Sequence, residues 1–152
     1  MPCILLTGAT GYIASHTWLA LQEAGFDVVG IDSLVNSSVK VLDRLETIGR
    51  RAPHFVQGDV RDAAALDRCF ELARTRFGGI QAVVHFAALK AVGESVERPL
   101  DYFENNLGGL LSVCQAMKRH GVNNLVFSSS ATVYGSPDTL PITEDAPLRV
   151  TN

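Results

Sequence analysis

One hundred and fifty-two residues are the length of one domain, enough to enclose a single core and too few for a closed eight-stranded α/β barrel. Leu, Ile, Val and Phe supply 46 of the 152 residues, a share well above that of disordered chains, so the chain folds. Thirteen basic against sixteen acidic residues give a net charge of −3 without any Lys/Arg cluster, which excludes a polyanion-binding face for nucleic acid or an anionic membrane. No run approaches the roughly 18 apolar residues of a membrane span. The opening Met1-Pro2-Cys3-Ile4-Leu5-Leu6 lacks the basic start of a secretory signal. Cys3, Cys69 and Cys114 are odd in number and sit in apolar-periodic stretches, a pattern of buried, reduced thiols in a cytosolic protein.

Short β-rich runs alternate with longer helical ones, which predicts a doubly wound parallel sheet in the Rossmann manner. Residues 3–7 form the first strand. A glycine turn follows, then a helix over 12–24 with Ile13, Thr17, Ala20, Leu21 and Ala24 on one face and Gly25 as its stop. A second strand over 27–31 ends at Asp32, a polar loop covers 33–38, and a helix runs over 39–49. His54-Phe55-Val56 is the third strand, leading to Gly58-Asp59, and Arg61-Asp62 opens a helix to Phe77 with Leu66, Phe70 and Ala73 inward. The fourth strand spans 82–86. Pro99 begins a long helix in which Phe103, Leu107, Leu110, Val113 and Met117 recur at helical spacing. The fifth strand, Leu125-Val126-Phe127, ends in Ser128-Ser129-Ser130. Right-handed crossovers then predict the order 3-2-1-4-5. Residues 1–135 make one doubly wound domain, and 136–152, with Pro137, Pro141 and Pro147, a tail without the helix that would cover the fifth strand.

Gly8-Ala9-Thr10-Gly11-Tyr12-Ile13-Ala14 joins the first strand to the first helix. Gly8 permits the tight turn, Gly11 lets a phosphate approach the backbone, and the helix amino terminus attracts it. Glycines also end strands for other reasons, so the turn gains its meaning from its surroundings. Asp32, about 20 residues downstream, either accepts hydrogen bonds from a ribose and repels a 2′-phosphate, favouring NAD over NADP, or merely caps its loop. Asp59-Val60 either meets an adenine ring or begins the next helix. Phe86-Ala87-Ala88 lines a groove with small groups, while Lys90 either reaches a ligand or is a solvated loop charge. His16, His54, His85 and His120 show no metal spacing. In Ser128-Ser129-Ser130-Ala131-Thr132-Val133-Tyr134-Gly135 a hydroxyl either bonds a reacting oxygen or caps a turn. No G-x-S-x-G elbow surrounds these serines.

Thr7-Gly8-Ala9-Thr10-Gly11-Tyr12-Ile13, the stretch 85–96, Tyr102-Phe103-Glu104-Asn105-Asn106 and the stretch 127–135 together resemble the UDP-glucose 4-epimerases of the extended short-chain dehydrogenase/reductase class. The resemblance covers the whole chain. It implies NAD held by Tyr12, Ile13, Asp32, Ser33, Asn36, Ser37, Asp59, Val60, Phe86, Ala87, Ala88, Lys90 and Asn105, besides the Gly8–Gly11 turn. It also implies that Ser130 bonds the 4-oxygen of a UDP-hexose and that the domain self-associates as a homodimer. The family's base is the Tyr of a Tyr-x-x-x-Lys pair. Tyr134 is followed by Gly135-Ser136-Pro137-Asp138, so this chain resembles the cofactor-binding amino-terminal portion of such an enzyme, inactive alone. Ala14 stands where the family has a glycine. A non-catalytic NAD-binding module and another sugar-nucleotide epimerase or dehydratase of the same class are the alternatives.

Overall fold

The computed structural model describes residues 1–149, so Val150-Thr151-Asn152 at the end of the Pro-rich tail lie outside the described residues. Five strands, β1 (Cys3–Thr7), β2 (Asp27–Asp32), β3 (His54–Gln57), β4 (Ile80–His85) and β5 (Asn124–Phe127), form one parallel sheet in the order β3-β2-β1-β4-β5. The predicted order is the observed one. The fourth strand lies two residues earlier at its start than the apolar run suggested, because Ile80 already pairs with Cys3.

Helices α1 (Tyr12–Glu23) and α2 (Lys40–Gly49) cover one face, and α3 (Ala63–Phe77) and α6 (Gly109–Arg119) the other. Strand β1 is buried along its whole length because alternate side chains enter two cores. Cys3 and Leu5 meet Leu66, Phe70, Val113 and Met117, whereas Ile4 and Leu6 meet Trp18, Val28 and Leu45. Helix α3 starts where Asp62 accepts the Ala64 amide at 2.9 Å, and Arg74 and Arg76 in its last turn complement the helix dipole.

Two faces differ from expectation. Helix α1 buries Ala14 and Trp18, not the face of Ile13 and Ala20, and Ile13 is 59% exposed. The reason lies on the neighbouring strand: Gly30 carries no side chain, and the Trp18 indole lies in the space its Cβ would occupy. Ala14, in the glycine position of the family turn, is itself buried. Cys3 and Cys69 are buried, and desolvation pushes both thiols up to about 12, but Cys114 is exposed on the outer side of α6.

The long helix that starts at Pro99 is continuous but not uniform: α5 (Pro99–Phe103) widens into a π-helical turn, Glu104–Gly108, before continuing as α6, and a short α4 (Val92–Glu97) precedes Pro99. Phe103 and Leu107 are exposed there, while Val113 and Met117 enter the core. Strand β5 is exposed at every residue, since neither face carries a covering helix among the described residues.

Candidate functional site

The polypeptide leaves β1 for one side of the sheet and β4 for the other, which opens a crevice at the carboxyl ends of the strands. A cleft of about 450 Å³ occupies it. Gly8, Gly11, Asp32, Ser33, Asn36, Ser37, Asp59, Val60, Phe86, Ala87, Ala88 and Asn105 line it, so twelve of the residues singled out in the sequence converge on one site. Tyr12, Ile13, Lys90 and Ser130 do not line it. Tyr12 and Ile13 are exposed on the first turn of α1, Lys90 is exposed on the loop after β4, and Ser130 is exposed after β5.

Gly8 makes the floor. Its φ of +64° is left-handed, and a Cβ there would stand 2.9 Å from the Ala87 amide nitrogen. The Gly11 amide closes the turn on the Gly8 carbonyl at 2.9 Å. Thr7 ties this floor to the next strand, because its Oγ1 accepts the Phe86 and Ala87 amides at 3.1 Å each and meets His85 Nδ1 at 2.7 Å. With both lone pairs engaged, the Thr7 proton goes to Nδ1, which leaves His85 neutral and protonated on Nε2.

Burial, reinforced by the Lys90 charge, pushes the His85 imidazole down from 6.5 to about 4. A base whose native pKa is depressed contributes its full stability above its unfolded pKa and loses it as pH falls toward the native one. The urea midpoint should therefore drop between pH 7 and pH 4.5, by up to about 3 kcal/mol of stability, and His85→Asn should flatten that slope. An acid limb identical in parent and variant would show that His85 protonates without cost.

Asp32 ends β2 and is almost fully buried. Its Oδ1 accepts the Leu34 amide at 2.8 Å and the Ser37 hydroxyl at 3.1 Å, and its Oδ2 accepts the Thr10 amide at 3.1 Å. A carboxylate has about four acceptor positions, so one remains on Oδ2. Asp59 is shared differently. Arg61 grips it through Nε at 3.0 Å and through a terminal nitrogen at 2.7 Å, and that guanidinium holds the carboxyl below its usual range. Arg61 also reaches Glu104 at 3.4 Å across the cleft rim. The π turn places Asn105 in the cleft, while Asn106 clamps the loop after β4 by accepting the Leu89 amide at 2.8 Å and donating to its carbonyl at 3.0 Å.

Several lining residues escaped the sequence reading: Arg61, Glu94, Arg98, Asp101 and Glu104. Arg98 pairs with Asp101 at 2.6 Å and Glu94 at 3.4 Å, and Tyr102 donates to Glu94 at 2.8 Å. Their helical spacing, with Glu94, Arg98 and Asp101 three to four residues apart, was the available signal. Ser130 caps a 3-10 turn, Ala131–Tyr134, accepting the Thr132 amide at 3.3 Å.

A family model described as the NAD dependent epimerase/dehydratase family matches residues 4–152. The chain belongs to this family. NAD is the cofactor by which the family is described, and a turn on Gly8 with an acidic β2 terminus is the chemistry such a cofactor requires. The UDP-glucose 4-epimerase of Bacillus subtilis (strain 168) is 50% identical over 149 residues, covering 98% of this chain and 42% of that protein. That of Neisseria meningitidis serogroup A is 51% identical over 148 residues, with 97% and 42% covered. The Bifidobacterium longum UDP-glucose 4-epimerase, solved with NAD+ and UDP, superposes with a TM-score of 0.89 at 46% identity over 97% of this chain and 42% of that one. This family member thus spans about two-fifths of the length of the relatives it matches.

Proposed function

We propose that the cleft holds NAD and that the chain is the cofactor-binding part of an epimerase interconverting UDP-galactose and UDP-glucose through transient oxidation at C4. The observation that carries this reading is the convergence of the Gly8–Gly11 turn, the Asp32 carboxylate and Asp59-Val60 on one crevice. Gly8, Gly11 and the amides of Tyr12 and Ile13 at the start of α1 would receive the pyrophosphate. Asp32, with Ser33, Asn36 and Ser37, would take the adenosine ribose, and Asp59 and Val60 the adenine. Phe86, Ala87, Ala88, Lys90 and Asn105 would border the nicotinamide half, and Ser130 would bond the hexose 4-oxygen. NAD supplies a hydride acceptor that returns the hydride to the sugar. The residues of this chain bind and orient; the proton at the 4-hydroxyl needs a base that they do not include.

Titration calorimetry with NAD and NADP tests the reading. The parent chain should prefer NAD, and Asp32→Ala should narrow the preference by removing both a ribose acceptor and the repulsion of a 2′-phosphate. Tighter binding of NADP by the parent would overturn the assignment of Asp32. Reduced Cys3 and Cys69 agree with a cytosolic setting, and no helix among the described residues is long and apolar enough to cross a membrane.

Self-association belongs to the same proposal. Leu100, Phe103, Leu107 and Leu111 are exposed along the α5–α6 helix, and Leu125, Val126 and Phe127 along β5, which is an edge strand. Exposed apolar stripes and open edges favour pairing. Light scattering should give a mass of at least a dimer, and a stable monomer at high concentration would count against it.

A further inference from the structure

Thr10 takes no part in the cofactor reading, yet it is 3% exposed directly behind the ribose subsite. Its Oγ1 stands 2.7 Å from Ser37 Oγ, and Ser37 in turn donates to Asp32 Oδ1 at 3.1 Å. A hydroxyl has one proton. Ser37 gives its proton to the carboxylate, so the contact between the two hydroxyls is made with the proton of Thr10. All side-chain protons of this chain of three groups run toward Asp32. What remains toward the cleft, on Ser37 Oγ and Asp32 Oδ2, is lone pairs. Asn36 on the same loop carries both a donor and an acceptor and so does not set the sign.

We infer that Thr10 is a positioning residue for cofactor choice: by holding the Ser37 proton on Asp32 it leaves Ser37 and Asp32 as the acceptor edge of the subsite, which receives a ribose 2′-hydroxyl and denies a 2′-phosphate the Ser37 donor. The inference rests on the NAD reading above and adds to charge repulsion a second, directional reason for excluding the phosphate. Without Thr10, the Ser37 hydroxyl regains the freedom to turn and donate to the ligand.

The test is calorimetric titration of the 152-residue chain and its variants with ADP-ribose and with ADP-ribose 2′-phosphate. Thr10→Val keeps the branched shape and the backbone amide that bonds Asp32 but has no proton to give. The ratio of the two affinities should fall roughly tenfold in Thr10→Val, about the worth of one hydrogen bond to a charged group. Thr10→Ser should keep the parent ratio. A purely structural role would weaken both ligands equally, so an unchanged ratio in Thr10→Val overturns the inference. Should that variant not fold, Ser37→Ala is expected to narrow the same ratio, and an unchanged ratio there overturns the inference likewise. A parent chain that binds neither ligand would overturn the cofactor reading itself, and the inference with it.

Discussion

With saturating NAD, the 152-residue chain should convert UDP-galactose at least about 10²-fold more slowly than a full-length epimerase of the family, since positioned general acid–base catalysis is worth roughly 10²–10⁴ in rate. The chain has no Tyr followed by Lys four residues on. Tyr134 is not placed to replace it. It ends the 3-10 turn and lines a separate hollow of about 120 Å³ with Asp138, Thr143 and Arg149, which shares no lining residue with the cofactor cleft. Ser130 cannot act as the base either, because a neutral hydroxyl that caps the turn can bond an oxygen but cannot accept a net proton. A coupled assay of both proteins reads the difference. Comparable rates would place the base within these residues and overturn the division of labour proposed for this chain.

Gly8→Ala should be a strongly damaging single-methyl change in the site. The left-handed backbone costs an alanine roughly 1–2 kcal/mol. The added Cβ would press on the Ala87 amide at 2.9 Å and its Cα at 3.0 Å, and these are backbone atoms that no rotamer change can move. Overpacking of that kind costs typically about 1–3 kcal/mol more. Urea denaturation should show a loss of roughly 3 kcal/mol, together with weakened NAD binding, because the same displacement tilts the groove floor and the Thr7 contacts to Phe86 and Ala87. Parental stability in the Gly8→Ala variant would mean that the β1–β4 crevice relaxes more freely than its hydrogen bonds imply.

The sequence by itself determined the parallel sheet, its order, the glycine turn and the acidic ends of β2 and β3. These are local matters: five apolar runs separated by helical spacings dictate crossover connections, and connection handedness leaves few orders to choose from. Position at a strand end also suffices to bring Gly8, Asp32, Asp59 and Phe86 together, because parallel strands all present their carboxyl ends to the same edge. Only the tertiary structure decided which face of α1 is buried, since that depends on the space above Gly30 on another strand, taken by Trp18. It also decided that Cys114 faces outward, that the helix after Pro99 widens into a π turn to present Asn105, and that Arg61 reaches Glu104. The direction of the protons from Thr10 through Ser37 to Asp32 belongs to the same class. Residues 27 and 22 positions apart in the chain meet there within hydrogen-bond distance, and the polarity of a hydroxyl is set by the partner that claims its proton rather than by its own identity.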